Sequence, residues 1–581
     1  MFKKNRVQLQ RSLFGTSMIL SESLQEHLAL TWAQVFRKEV FELIDEELFA
    51  PLYSEEASRP NAPVNVLMGL EILKAGRGLS DEEMYETLCF DVRMRFALGQ
   101  EDWGADLPFQ LRTLYNFRRR VREYAAESGE NLYQKVFEQV TDEQLRKFEV
   151  QTGWQRMDST QVLSNLAQTG RVELLISVLQ KVVKGLGKEE RKHWEKEAEY
   201  YLRKRPHEIG YRIRRAEVNG HLLKIGKMLA KLSEVLDEGS EAHVLAQRVL
   251  EEQYQIEGET LAIRPAAEVP ADSLQSPHDP DATFRIKNDE VYAGGYVANV
   301  SETFAEENAV QLITDIQVAS NVTDDSDLLK QSLQNQKERG LDVQDVVTDG
   351  GYTGPNSENY CNDNDITLRP TTIRGGKSRN GNLGWEAYRW ELDENGLPVR
   401  VTCPQGLVGM LYPSKTEGRL LARFSDDDSC RACPLLESCR IQLRKRNGPT
   451  INLTRRNIEV ALMRQRLRPE DKSIRSPVEA TVRSLKWSLR KDKLTVRGLS
   501  SALMHFSASA LMVNARRLHA YYLETSSDNG VFRWILSKKW LLFPPGTFSG
   551  PLRAVFQRFH FHSSFSPSIL STLPAFDTLS F

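Results

Sequence analysis

The chain has 581 residues, enough for roughly two to four domains at about 150 residues each. It is 40% hydrophobic and 27% charged, an ordinary globular composition, and its apolar runs fall far short of the roughly 20 residues of a membrane span, which excludes a membrane protein. The net charge of -2 conceals opposed blocks: Arg440 to Arg497 holds 17 Lys and Arg against 5 acids, while Leu232 to Asp281 holds 12 acids against 2 Arg, so the basic block is a candidate track for phosphates.

The basic start, Met1 to Arg6, leads into residues broken by polar side chains and without a small-residue cleavage site, which points to a cytoplasmic protein. Residues 1–145 read as a helical domain. Pro63 opens an apolar pattern of helical period through Val66, Leu67, Leu70 and Leu73, and Ser80 caps a segment running to Leu88. A third helix, about 111 to 124, carries Arg112, Arg118 and Arg119 beside Tyr115 and Phe117. It is either a helix laid against a phosphate backbone or an arginine-decorated surface helix with core aromatics.

From Val150 the pattern turns strand-like and is expected to end at Met157-Asp158-Ser159-Thr160. A long amphipathic helical stretch follows over about 171–256, closed by a Pro- and Asp-containing linker at about 258–281. Strands are expected over 290–300, ending in a turn at Ser301-Glu302-Thr303, and over 310–319. A helix at 325–338 then leads to a strand over 342–348 that stops at Asp349-Gly350-Gly351-Tyr352, and a short strand follows at 366–369. The region 373–452 reads as β-rich. The order points to an α/β RNase H-like core, a mixed sheet flanked by helices, occupying 146–523. It carries a helical insertion at about 162–283 and the β-rich insertion at 373–452. Residues 524–581, rich in Phe, Ser and Pro, read as an irregular tail.

Asp158 and Asp349 are each expected at the C-terminal end of a strand, where such sheets open their ligand crevice; each alone is more often a turn or cap residue. Glu479 follows Pro477, read as lying near the first turn of a helix, and shares a face with Arg483 and Lys486 at i+4 and i+7. That pattern sets an acid above two phosphate-binding cations, or is a solvated ion pair. Three carboxylates from separate elements suit hard divalent cations, Mg²⁺ or Mn²⁺, in a pair that stabilises in-line attack on a phosphodiester.

The block Arg475-x3-Glu479-x6-Lys486 resembles the Tyr-x2-Arg-x3-Glu-x6-Lys signature of bacterial DDE insertion-sequence transposases, with Lys472 where their Tyr stands. The blocks around Asp158 and Asp349 resemble their two aspartate blocks, and Arg112 to Arg118 resembles the helical domain of one subgroup. The resemblance implies Asp158, Asp349 and Glu479 as catalytic metal ligands, with Arg475 and Lys486 on phosphates. It also implies binding of terminal inverted repeats, cleavage and strand transfer. The reaction implies a homodimer on DNA, and the class implies a nucleoid-associated cytoplasmic protein. A catalytically silent DNA-binding relative stays open as the alternative.

Cys403, Cys430, Cys433 and Cys439 supply four thiols, with a Cys-x2-Cys step that a tetrahedral zinc accepts. The alternative is buried or unpaired thiols. Trp385 and Trp390 are read either as core or as a base-stacking platform.

Overall fold

Helices open the chain: α1 (Glu22–Ala29), α2 (Trp32–Glu39), α3 (Val64–Arg77), α4 (Asp81–Phe90), α5 (Val92–Ala97), α6 (Leu111–Ser128) and α7 (Leu132–Lys147). Pro63, which has no N–H to lose, precedes α3, and Val66, Leu67, Leu70 and Leu73 are all buried there. Ser80 caps α4 reciprocally with Glu83, as the spacing predicts. The computed structural model describes residues 1–5, 15, 19–54, 60–103, 106–257, 260–287, 290–373, 381–394, 396–414, 416–444 and 448–525. Residues 1–521 form one unit, and of the second, 522–581, only 522–525 are described, so nearly all of the expected tail lies outside the described residues.

The central sheet begins with β1 (Trp154–Leu163). Six helices come next: α8 (Arg171–Lys184), α9 (Lys188–Glu197), α10 (Glu199–Leu202), α11 (Pro206–Gly210), α12 (Val218–Val235) and α13 (Glu241–Gln253). A hairpin of β2 (Tyr254–Glu257) and β3 (Thr260–Ile263) occupies the start of the expected linker, and β4 (Thr283–Lys287) had no clear sequence signal. Then come β5 (Glu290–Thr303), β6 (Ile313–Ser320), α14 (Asp325–Glu338), β7 (Asp345–Thr348), α15 (Pro355–Asp363) and β8 (Thr367–Pro370). β6, β5, β1, β7 and β8 lie side by side in that order. β5 is antiparallel to β1 and β6, β7 is parallel to β1 and β8, and β4 runs along the first part of β5.

Two expectations are corrected here. β1 does not end at Asp158 but runs five residues on, because β5 is long enough to pair with it from Gln155 to Leu163. The turn expected at Ser301-Glu302-Thr303 is strand, and those three residues are fully buried. Their polar atoms are satisfied across the sheet, which removes the reason to exclude them from it.

A second, antiparallel sheet has the order β13, β14, β12, β11, β10, β9, built from β9 (Arg389–Leu392), β10 (Pro398–Thr402), β11 (Val408–Pro413), β12 (Arg419–Phe424), β13 (Gln442–Arg444) and β14 (Gly448–Thr454). The short α16 (Asp427–Arg431) leaves it, and α17 (Arg455–Gln465), α18 (Pro469–Leu485) and α19 (Leu499–Thr525) follow.

The N-terminal helices, one face of the central sheet, α18 and α19 share one apolar core. α19 is buried along most of its length, from Ser501 to Ala515, where it is wedged between α3 and the sheet edge. A Cβ on Gly76 of α3 would meet Met512, and buried Asn514 exchanges hydrogen bonds of 2.8 and 3.0 Å with the backbone of Ile313 in β6. The α8–α13 segment has a core of its own around Leu175, Leu179, Ile225 and Val249, and the second sheet packs around Tyr388, Val401 and Phe424. Each buried Leu, Val or Phe contributes roughly 1.5–3 kcal/mol, so these are self-sustaining clusters. Among the described residues no helix is long and apolar enough to cross a membrane.

Candidate active site

Asp158 points from the middle of β1, opposite Val300 of β5, and its side chain is only 12% exposed. Its Oδ1 accepts from Ser159 N at 3.0 Å and from Arg475 Nη2 at 3.0 Å. Asp349 follows the last residue of β7, where the strand was expected to end, and its Oδ1 accepts from Gly351 N at 2.7 Å. Gly350 is needed for the chain's own packing, since a Cβ there would lie 2.6 Å from Thr372 O.

The helix bearing Glu479 starts at Pro469, two turns before the position expected, so Pro477 sits inside α18 and not in its first turn. Val478, Val482 and Leu485 are buried against the sheet, as their spacing predicts, which leaves Arg475, Glu479 and Arg483 on another face. Lys486 lies just beyond the helix and pairs with Asp492 at 2.9 Å. α18 is fixed at its start by an ion pair between buried Asp471 and Arg369 of β8. Past the helix, Leu163 at the end of β1 donates to Asp492 O at 2.8 Å and accepts from Leu494 N at 2.8 Å.

The arginine of the third block is the hinge of the site. Arg475 donates to Asp158 at 3.0 Å and to Glu479 at 3.2 Å, and its charge also feels Asp349. Asp158 and Glu479 therefore share one guanidinium, Asp349 lies near enough for its charge to be felt there, and Glu479 keeps half of its side chain exposed. Burial pushes the Asp158 carboxyl up despite Arg475, and Asp349 adds to the rise. Arg475 Nε is buried with no hydrogen-bond partner among the described residues. Among the described residues no group of three or more His, Cys, Asp or Glu side chains stands at metal-binding geometry; the acids close on Arg475 instead. As a donor set, all oxygen and in excess of its own cation, they fit a hard divalent ion.

Other members of this neighbourhood escaped the sequence reading. Asp325, buried at the start of α14, accepts from Ser159 Oγ at 2.8 Å. Tyr352, fully buried, donates to Asn299 at 2.6 Å, and its phenol is held un-ionised by burial with Asp158, Asp325 and Asp349 nearby. The acidic start of α14 and the aromatic after Gly350-Gly351 were the available signals.

Cys403, Cys430, Cys433 and Cys439 all line one cavity of about 340 Å³ beside the second sheet. Leu407 N donates to Cys403 Sγ at 3.3 Å across a turn whose Gly406 has φ 86°, and Tyr388 Oη lies 3.3 Å from Cys439 Sγ. Burial and the other three thiols push Cys430 up to about 11. Trp385 and Trp390 pack on each other and on Tyr388, and Trp390 is buried, so packing accounts for Trp390.

Residues 402–519 match a family model described as Transposase DDE domain, and residues 24–120 match one described as Transposase domain (DUF772). Both matches support reading the chain as a DDE insertion-sequence transposase. The first match takes in Arg475, Glu479, Lys486 and the four clustered cysteines, and the second takes in α1–α5 and part of α6 with Arg112, Arg118 and Arg119. No curated protein and no solved structure matches the chain. Within its N-terminal match the arginines differ in availability. Arg112 is exposed without an ion pair among the described residues, Arg119 pairs with Glu123 at 2.7 Å on the surface, and Arg118 is held by Glu71 and Asp81, each at 2.6 Å.

Proposed function

We propose that this transposase binds the terminal inverted repeats of its own element, cleaves DNA phosphodiesters with two divalent metal ions and joins the 3′ ends to target DNA. The observation that carries the reading is the convergence of Asp158, Asp349 and Glu479, far apart in sequence, about Arg475. These three acids would hold Mg²⁺ or Mn²⁺. The ions, when bound, supply Lewis-acid stabilisation of the entering and leaving oxygens.

The chain's own groups do the rest. Asp158, buried on a central strand, is the rigid member, while half-exposed Glu479 faces the side from which DNA arrives. Arg475 neutralises the acids and presents a guanidinium fork where a phosphate oxygen would lie. Arg483, exposed and without an ion pair among the described residues, and Lys486, after leaving Asp492, track the backbone beyond it. Arg112 and Arg119 make further phosphate contacts from α6, whereas the charge of Arg118 is committed to Glu71 and Asp81. In this reading residues 1–145 recognise DNA and 146–523 form the RNase H-like catalytic domain, with the helical and β-rich segments as insertions. The four cysteines, which line one cavity, would hold a structural zinc. The working form is a homodimer on DNA, in the cytoplasm at the nucleoid.

The test uses a supercoiled plasmid carrying the gene with its natural flanking DNA. The parent nicks it with Mg²⁺ or Mn²⁺, and Asp158→Asn, Asp349→Asn and Glu479→Gln each abolish nicking while retaining binding of the flanking sequence. A parent that binds this DNA and never cuts it is the silent relative, a repressor or architectural protein.

A further inference from the structure

Glu302 is a fully buried carboxylate that the proposed chemistry leaves unused. It stands on β5 directly across from Arg156 of β1, two residues before Asp158. Arg156 Nε donates to its Oε1 at 2.6 Å, Thr481 Oγ1 to its Oε2 at 2.6 Å, and Arg517 Nη2 to the same oxygen at 2.5 Å. Arg156 also donates to Ile474 O at 3.0 Å, and Arg517 Nη2 to Thr481 Oγ1. Thr481 lies two residues after Glu479, and Ile474 one before Arg475. One carboxylate thus joins the strand of the first acid, the helix of the third, and α19.

Geometry and charge both make this a registering device. A buried ion cluster returns little net stability, because desolvation cancels most of the attraction; what it fixes is one arrangement against its neighbours. The apolar contacts of Val478 and Val482 hold α18 on the sheet but tolerate a small slide along it. Hydrogen bonds from Thr481 and Arg156 to a single carboxylate do not, since both lose geometry within a few tenths of an ångström.

We propose that Glu302 is the positioning residue that sets Glu479 and Arg475 in register with Asp158, acting through Thr481 and Arg156. The proposal rests on the assignment of those acids as the catalytic site. Its test therefore has one arm that needs no cleavage.

In metal-free protein, hydrogen exchange over 478–485 is compared with exchange over α14. Glu302→Gln and the milder Thr481→Val raise exchange in 478–485 by about tenfold or more and leave α14 unchanged. Arg339→Met, which breaks a pair with Asp142 away from the acids, does not raise it there. In the plasmid assay Glu302→Gln lowers the nicking rate constant about 100-fold at unchanged affinity for the flanking DNA, and Glu302→Asp recovers part of it. Uniform exchange increases across the unit, or nicking that falls only with the folded fraction, overturn the proposal. If Glu302→Gln does not fold, Thr481→Val decides. If the parent and Asp158→Asn nick alike, the catalytic assignment fails, and the exchange arm still judges the register.

Discussion

Arg118→Met separates two roles for one arginine. Its guanidinium holds Glu71 and Asp81, each at 2.6 Å, and all three side chains are at most 20% exposed. Burial alone would raise the Asp81 carboxyl, but Arg118, with Lys74, holds it down at about 2 against an ordinary 3.8. That depression is worth roughly 2 kcal/mol at 1.36 kcal/mol per unit, and on the order of 1 once solvent screening is allowed for. Leaving Glu71 half-buried and unpaired adds a comparable amount, so the loss expected on Arg118→Met is about 2–3 kcal/mol. Because the folded carboxyl is depressed, its contribution is complete above about pH 4 and disappears as pH falls toward 2. The assay is denaturant unfolding followed by circular dichroism, in a double-mutant cycle with Asp81→Asn, where the coupling is about 1 kcal/mol. Unchanged stability, together with weaker DNA binding whose salt dependence drops by about one counterion, would refute the reasoning and return Arg118 to the DNA face.

Gly76→Ala places a methyl against Met512 and is expected to cost about 1–3 kcal/mol in thermal unfolding, where Gly220→Ala, with open space around it, is neutral or stabilising. Asp315, fully buried, is pushed up to about 6 by burial against the pull of Ser332 and Arg339. Its folded state therefore favours the protonated form, and stability present below about pH 4 is lost as pH rises through 6. Asp315→Asn should stabilise the protein by on the order of 1–3 kcal/mol at pH 8 and flatten that slope, measured by unfolding across pH. If the four cysteines hold zinc, elemental analysis finds about one ion per chain, Cys430→Ser abolishes it, and chelation selectively loosens residues 389–454 in hydrogen exchange. Full metal-free protection of that sheet would count against the site.

The strongest signals in the sequence were local ones. Ser80 as a cap and Pro63 before an apolar period each specify an element by their own chemistry, and the helix at 325–338 has the bounds expected. Asp158, Asp349 and Glu479 were singled out because each stands in a recognisable block. What was not legible depends on pairing across the chain. β1 reads as ending at a polar Asp158-Ser159-Thr160, yet it continues because β5 lies beside it; 301–303 reads as a turn because Glu302 is charged, yet two distant arginines make it a strand residue. Arg118 read as either a DNA contact or a surface arginine for the same reason: Glu71 and Asp81, its partners, lie three and two helices back in the chain.

The paired bonds between Leu163 and the 492–494 segment close the central sheet just where the chain departs into α8–α13. That segment leaves through a fastened gate and carries its own apolar centre. Its length and surface are thereby uncoupled from the acids. Changes on the surface of that segment are therefore expected to leave the packing around Asp158 in place.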